Sequence, residues 1–538
     1  IKKLLTKMQN DCVTYQNSGY FSKLIVDYLD EKSELQSLYN RFPKIENFQE
    51  QMEEKNNNFP FENRLILATE LEKQYDNFEV SESTSQNIQL LKLSNSYTIT
   101  TGHQLNLFTG PLYFLYKIAS TINLCKELKL KYPTQNFVPI YWMATEDHDF
   151  EEINYFSFKE KKIIWQKNSS GPVGRLPTFG LDAVYKTLVK EIGLGNNANY
   201  LRELFKKAYL DHLNLADATR FIANELFKNE GLVIIDADSK ELKKLFVPYA
   251  KKELLEQTSF QKVNEASTKL SAYTIQVNPR EINLFYIQNE LRERIIFENG
   301  NYIINNTKLK FTNKELLVEL ENHPEKFSPN VILRPLYQEI ILPNLCYIGG
   351  GGEIAYWLEL KSNFEANKVT FPMLLVRNSV LLVTKKQVSK LDKLELNWHE
   401  IFLNQKLLSD KKTKEFSKFT IDFTEQKVTL RKQFEALYKI ANQTDKSFIG
   451  AVKAQEAKQL KGLENLEKRL LKAERKNHAS QLQRIFEIQN ELFPNNNLQE
   501  RTQNFTTLLT DINDYESFIQ KIIATLNPLE QNFSIIIL

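Results

Sequence analysis

The segment between residues 97 and 144 constrains the fold more than any other part of the sequence. Residues 97–101 are β-branched and aromatic, which is typical of a strand, and residues 137–144 form a second apolar strand. Between them, Pro111 precedes a helical pattern over 112–131. A helix that joins two such strands forms a βαβ unit, and these units build parallel sheets with right-handed crossovers. The sequence therefore predicts an α/β fold with a parallel-sheet core.

Further apolar segments extend this core. Residues 232–235 predict another strand, and residues 371–383 predict strand structure that is interrupted at 377–379. Two stretches, near 155–215 and near 275–330, have the character of insertions between the core elements. We therefore expect residues 1–384 to form the core with these two insertions.

The C-terminal third of the chain has a helical composition. Residues 451–493 contain no proline and a single glycine, Gly462. At about 1.5 Å per residue, one continuous helix here would reach roughly 60 Å and would need a helical partner from the same chain or from another subunit. We expect a coiled-coil domain over 385–497. Residues 498–538, which end in an apolar strand, are expected to pack back on the core.

Composition excludes several classes of protein. Lys plus Arg is 70 and Asp plus Glu is 67, and this near-neutral balance argues against a dedicated nucleic-acid binder. Cys12, Cys125 and Cys346 are far apart and form neither a disulfide framework nor a zinc-binding spacing. No apolar run is long enough to span a membrane. These features lead us to expect a cytoplasmic protein in a reducing compartment.

The first candidate site follows the strand at 97–101. A glycine at the end of a strand lets a ligand approach the backbone, and a histidine beside it can donate to a phosphate or carboxylate. A tight turn with a locally hydrogen-bonded histidine is the alternative. The candidate residues are Thr101, Gly102, His103, Gln104 and Gly110.

The second candidate site follows the strand at 137–144. Clustered carboxylates repel one another and need a counter-cation, a metal or a bound amine. Adjacent residues on a strand point in alternate directions, so we favour binding of an ammonium group or sugar hydroxyls over a metal, with a solvated acidic loop as the alternative. The candidate catalytic residues here are Glu146, Asp147, His148 and Asp149, in addition to His103.

The third candidate site is a run of four glycines that precedes a helical pattern. Such a run can form an anion-binding nest, although flexible connectors are more common. Polar side chains upstream and downstream are expected to face the same cleft. The candidate substrate- or nucleotide-binding residues are Arg334, Gln338, Gly349, Gly350, Gly351, Gly352, Glu353, Tyr356 and Trp357.

Taken together, these motifs resemble the cysteine ligase family of bacillithiol biosynthesis. The matching segments, in chain order, are 101–104 with 108–113, 142–154, 327–335, 352–357 and 498–501. The resemblance implies a Rossmann-like core similar to class I aminoacyl-tRNA synthetases, and a C-terminal coiled coil associated with homodimerisation. It also implies that cysteine is joined to the amine of malyl-glucosamine. His103, Tyr155 and Gly351 depart from the residues that are frequent in the family, which are Gln, His and Pro.

The implied chemistry requires an activated cysteine carboxylate, because forming an amide from a carboxylate is uphill in water. ATP is the candidate activator, with Gly102 and His103 near its phosphate. Glu146, Asp147 or Asp149 would hold the cysteine ammonium or deprotonate the glucosamine amine. No Cys/His spacing predicts a zinc site. The alternatives are a non-catalytic scaffold that assists a partner enzyme and a nucleic-acid binder that uses the basic coiled coil.

Overall fold

The computed structural model describes residues 13–159 and 161–538. Cys12 therefore lies outside the described residues, while Cys125 and Cys346 are buried free thiols. The strands, numbered along the chain, are β1 Ser96–His103, β2 Asn136–Met143, β3 Tyr155–Phe158, β4 Lys161–Ile164, β5 Val233–Asp236, β6 Leu284–Gln288, β7 Leu291–Glu298, β8 Asn301–Ile304, β9 Lys310–Phe311, β10 Phe327–Pro329, β11 Asn344–Gly349, β12 Met373–Val376, β13 Val380–Val383 and β14 Ser534–Ile537.

The α-helices are numbered in the same way. They are α1 Lys23–Leu29, α2 Phe48–Asn58, α3 Phe61–Tyr75, α4 Glu82–Leu90, α5 Tyr113–Lys131, α6 Phe150–Ile153, α7 Leu181–Ile192, α8 Asn196–Tyr209, α9 Leu215–Phe227, α10 Lys240–Glu256, α11 Thr258–Lys269, α12 Asn313–Asn322, α13 Arg334–Ile341, α14 Gly351–Trp357, α15 Lys361–Ala366, α16 Lys385–Lys393, α17 Trp398–Phe402, α18 Gln405–Phe416, α19 Thr424–Ala441, α20 Lys446–Asn477, α21 Ala479–Leu492, α22 Gln499–Thr502 and α23 Tyr515–Thr525.

A parallel sheet forms the core, in the order β12-β11-β1-β2-β5. Every residue of β1 is buried, as expected for a central strand that is covered on both faces. The predicted strands at 97–101, 137–144 and 232–235 correspond to β1, β2 and β5, and the predicted helix is α5. The strand order reverses between β1 and β11, which is the doubly wound arrangement of Rossmann-like folds. The predicted α/β fold is confirmed.

The segment at 371–383 divides between two sheets. β12 joins the central sheet, whereas β13 pairs in parallel with β14 at the end of the chain. The interruption at 377–379 redirects the backbone, and the side chains of Gln499 and Glu500 accept the N–H groups of Leu382 and Val380. The apolar tail therefore pairs with a strand, as its sequence predicts.

The two inserted stretches form structures of their own. The stretch near 155–215 contains the β3–β4 hairpin together with α7 and α8. The stretch near 275–330 forms an antiparallel sheet in the order β10-β6-β7-β8-β9. Asn299 and Gly300 connect β7 to β8 with φ angles of 51° and 79°, as a two-residue hairpin turn with two left-handed residues requires.

The described chain divides into two units. One comprises residues 14–384 together with 498–538, and the other contains residues 385–497. In the first unit, Arg377 pairs with Glu500, and Asn504 donates to the carbonyls of Phe108 and Gly110. The segment after residue 497 thus contacts the loop that follows β1.

The unit at 385–497 is helical. α19 and α20 form a hairpin around buried Phe434, Ala441 and Val452, and Lys427 of α19 pairs with Glu467 of α20 at 2.6 Å. The prediction of one continuous helix over 451–493 is wrong, because the helix breaks at His478. After the break, α21 packs its apolar side chains against α16 and α18. Within the described residues, we find no helix that is both long and apolar enough to cross a membrane.

Candidate active site

A cleft of about 1240 Å³ opens at the carboxyl ends of the central strands. Residues from the ends of β1 and β2, from the loop after β5 and from the segment after β11 line it, and the antiparallel sheet contributes residues of β6 and β7. Ligands of doubly wound sheets bind where the strand order reverses, here between β1 and β11. The cleft is therefore the expected position for an active site in this fold.

Twelve of the sequence-predicted residues line this cleft. They are Gly102, His103, Gln104, Glu146, Asp147, His148, Asp149, Arg334, Gly350, Gly352, Glu353 and Tyr356. The other predicted residues lie behind the cleft wall or beside it: Thr101, Gly110, Gln338, Gly349, Gly351 and Trp357. Thr101, for example, donates to the carbonyl of Ile348 at 2.8 Å and so links β1 to β11.

At the end of β1, Gly102 leaves the backbone without a side chain, and His103 is buried. A Cβ atom on Gly102 would lie 3.1 Å from the Tyr347 hydroxyl, so a side chain there would crowd the cleft. Nε2 of the His103 imidazole is buried and has no hydrogen-bond partner within the described chain. Burial, reinforced by the Lys117 ammonium, lowers the pKa of His103 to about 3. His103 is therefore neutral at physiological pH and offers one ring nitrogen to a ligand.

Glu353 directly follows the glycine run and lies in the first turn of α14. Its carboxylate accepts hydrogen bonds from the Gly350 N–H at 2.9 Å and from the Tyr347 hydroxyl at 2.7 Å. It also pairs with Lys117 at 2.6 Å. Burial opposes ionisation of Glu353, but the Lys117 ammonium and these donors hold its pKa below the usual range.

The glycine run does not form the anion-binding nest that its sequence allows. None of the four glycines adopts the left-handed conformation that a nest requires. Gly349 ends β11 and is buried, and Gly351 packs against Phe21 and Ile25. Only Gly350 and Gly352 of the run line the cleft.

Several cations of the cleft were not predicted from the sequence. Lys117 of α5 donates to the Gly102 carbonyl at 2.6 Å, Arg377 follows β12, and Arg501 comes from the C-terminal segment. Arg377 pairs with Glu500 at 2.7 Å, yet its Nε is buried without a hydrogen-bond partner in the described part of the chain. Two sequence signals pointed here: Arg377 directly follows an apolar strand, and Arg501 belongs to the motif at 498–501.

Glu146 is already paired with a cation. Lys243 of α10 lies 2.5 Å from Glu146 and 2.9 Å from Asp238, and Arg175 makes a bidentate contact with Asp238. Burial raises the pKa of Glu146, and Lys243 opposes this shift. The counter-cation that the acidic cluster requires is therefore supplied in part by the protein itself.

Asp147, His148 and Asp149 lie in the loop after β2, and one ligand-type atom of each falls within 4.8 Å of the others. The expectation that these side chains diverge is wrong, because it assumed that they continue the strand. Arg292 Nη1 lies 2.7 Å from His148 Nδ1. Because a guanidinium can only donate, Nδ1 accepts, and a neutral His148 carries its proton on Nε2.

Family models match nearly the whole chain. Residues 8–378 match the N-terminal Rossmann-like domain of bacillithiol biosynthesis BshC, and residues 380–538 match its C-terminal coiled-coil domain. The chain belongs to the BshC family.

Relatives within the BshC family cover the full length. Proteins named "Putative cysteine ligase BshC" are 63% identical over 529 residues in Flavobacterium johnsoniae (98% of this chain and 100% of the relative) and 54% identical over 535 residues in Christiangramia forsetii (98% and 99%). The Bacillus cereus protein of that name is 28% identical over 500 residues, which is 89% of this chain and 92% of the relative.

Proposed function

We propose that this BshC-family protein joins the carboxyl group of cysteine to the amine of malyl-glucosamine in the cleft of the central sheet. The presence of cationic and acidic side chains in one cleft carries this proposal. Lys117, Arg334 and Arg377 line the cleft together with Asp147 and Asp149, which follow β2. Malyl-glucosamine carries carboxylates on its malyl group and a primary amine on the sugar, so cationic and acidic side chains within one cleft can hold both kinds of group.

The loop after β2 provides groups for the transfer itself. Asp147 accepts a hydrogen bond from Gln104 at 2.9 Å, whereas Asp149 is exposed and lies 3.9 Å from Nε2 of His148. We assign Asp149 to accept the proton of the glucosamine amine, and His148 to donate from Nε2 to the carbonyl oxygen of cysteine. Glu146 supports the loop through its pair with Lys243.

A nucleoside triphosphate such as ATP would supply the free energy for activating the cysteine carboxylate. Arg377 Nε, a buried donor without a partner in the described chain, lies beside Gly350 and fits a phosphate group. His103 is neutral and donates to the Thr109 carbonyl through its other ring nitrogen, so its buried Nε2 is an acceptor that suits a hydroxyl or amino group of a ligand. Cysteine and the nucleotide are cytoplasmic metabolites, so we also propose a cytoplasmic location.

The helical unit supports a proposal of homodimerisation. Five apolar side chains of its α19–α20 hairpin are exposed: Val428, Leu437, Ile440, Phe448 and Leu466. A second copy of the hairpin would bury them.

Mass spectrometry of the reaction tests the proposed function. Purified protein with cysteine, malyl-glucosamine, ATP and magnesium should form the amide product, and omission of ATP should abolish it. Asp149→Asn should lower kcat/KM by about a hundredfold, the usual contribution of a proton-accepting group. The matched control is Asp182→Asn on α7, which removes an exposed carboxylate distant in sequence and should leave the rate unchanged. Folded protein that binds the sugar but forms no product would favour a scaffold role instead.

A further inference from the structure

A chain of buried polar contacts runs from helix α2 to the cleft. Lys55 of α2 is almost fully buried, and its ammonium lies 2.8 Å from Oε2 of Glu339 on α13. Oε1 of Glu339 accepts hydrogen bonds from the Gln338 amide at 3.0 Å and from the Asn344 amide at 2.7 Å. Both acceptor oxygens of this carboxylate are therefore engaged away from solvent.

This series of polar contacts continues to Arg334, which lines the cleft. Oε1 of Gln338 accepts a hydrogen bond from Nη1 of Arg334 at 3.0 Å. The Arg334 guanidinium lies over the rings of Trp142 and Tyr347, at 5.7 Å from each centroid, and it faces the cleft. Nη2 of Arg334 also donates to the Tyr356 hydroxyl, but at the longer distance of 3.4 Å, so the contact with Gln338 is the shorter of the two that hold the guanidinium.

We propose that Lys55 and Glu339 are positioning residues that fix the amide orientation of Gln338, and through it the guanidinium of Arg334, for an anionic group of the substrate. This inference rests on the proposed function for the identity of the substrate. A carboxylate can only accept and a guanidinium can only donate, so one orientation of the Gln338 amide satisfies both neighbours. The reversed orientation would direct an NH₂ group at Arg334 and a carbonyl at Glu339.

Lys55 keeps this polarity in place. Burial raises the pKa of Glu339, and the Lys55 ammonium opposes that rise. Without Lys55, Glu339 gains a proton and becomes a donor as well as an acceptor, so it no longer dictates how Gln338 lies. Buried ion pairs contribute little net stability compared with apolar replacements, whereas they can specify a geometry. This role gives a function in the reaction to α2, for which the sequence predicted none.

We call the contacts from Lys55 through Glu339 and Gln338 to Arg334 the relay. Lys55→Met tests it, because this substitution removes the charge and keeps the length of the side chain. The KM for malyl-glucosamine should rise about tenfold, as expected when one charge-assisted hydrogen bond is misplaced, while the KM for cysteine stays near the wild-type value. Glu339→Gln should give the same rise. The double variant should be no worse than either single variant, because both act through Gln338.

The matched control is Arg64→Met. Arg64 is also a buried cation of the N-terminal helices, but it donates to the carbonyl of Ser96 at 2.6 Å, at the opposite end of β1 from the cleft. This variant should lower the melting temperature without raising the KM for malyl-glucosamine. An equal rise in both variants would mean that the effect is general destabilisation, and would overturn the relay.

A crystal structure of the Lys55→Met protein separates the relay from the proposed function, because it requires no turnover. The relay predicts that the contact between Arg334 and Gln338 is lost or that Arg334 occupies several positions. An unchanged contact would overturn the relay even if the enzyme is active. Failure of the wild-type protein to form product would instead overturn the proposed function, while the positions of Arg334 would still decide the relay.

Discussion

At the scale of single residues, His103 acts as a neutral group. Its pKa of about 3, caused by burial and by the nearby Lys117, leaves it uncharged at any pH at which the protein is assayed. His103→Gln keeps a neutral donor and acceptor and should retain activity, whereas His103→Leu should lose about tenfold in kcat/KM, the value of one hydrogen bond. Steady-state kinetics at pH 7 and 8 measures both variants. Equal loss in the two would show that imidazole chemistry, rather than hydrogen bonding, is required.

The sequence predicted the residues that follow strands better than it predicted their partners. Gly102, His103 and the loop at 146–149 were identified because polar residues directly after buried strands must lie at the carboxyl edge of a parallel sheet. Lys117 was missed because the pattern of α5 does not show which of its polar residues faces the cleft. Lys243, the partner of Glu146, is distant in sequence, and only the fold brings the two together.

At the scale of elements, Glu359 fixes the segment that enters the antiparallel sheet. Its buried carboxylate accepts the Gln276 N–H at 2.8 Å, and Gln276 and Val277 line the cleft. Burial raises the pKa of Glu359 from 4.5 to about 7, opposed by the N–H groups of Gln276 and Val277. The folded protein therefore binds a proton between these pH values that the unfolded chain releases.

This difference predicts a pH-dependent stability. The contribution of Glu359 is most favourable below about pH 4.5 and is lost as the pH rises to about 7, with no further change above that. Urea unfolding of wild type and Glu359→Gln between pH 5 and 8 measures it, since contributions of all other groups cancel in the difference. The wild-type free energy of unfolding should fall relative to the variant up to pH 7. A constant difference would contradict the assignment.

Elements with strong periodicity were predicted well, and their ends less well. The strands and helix at 97–144 match β1, α5 and β2 because buried strands and a covering helix have distinct apolar patterns. The break at His478 was not predicted, since neither proline nor glycine marks it in the sequence. The glycine run did not form a nest because the Glu353 carboxylate already accepts the N–H that a ligand would use.

At the scale of the whole molecule, the exposed apolar side chains of the α19–α20 hairpin predict a homodimer. Leu437→Glu combined with Ile440→Glu should yield a monomer, because buried carboxylates would oppose association. Light scattering at several protein concentrations measures the mass. Phe179→Glu, which alters an even more exposed apolar residue of the core unit, is the control and should remain dimeric. A monomeric wild-type protein would contradict this prediction.

The central claim is that the cleft activates the carboxylate of cysteine and passes it to the amine of malyl-glucosamine. The most direct measurement uses cysteine labelled with ¹⁸O in its carboxylate, with mass spectrometry of all products. Activation by the nucleotide predicts that one labelled oxygen stays in the amide and the other appears in the released nucleoside monophosphate or inorganic phosphate. Amide formation with unlabelled phosphate products would contradict the account.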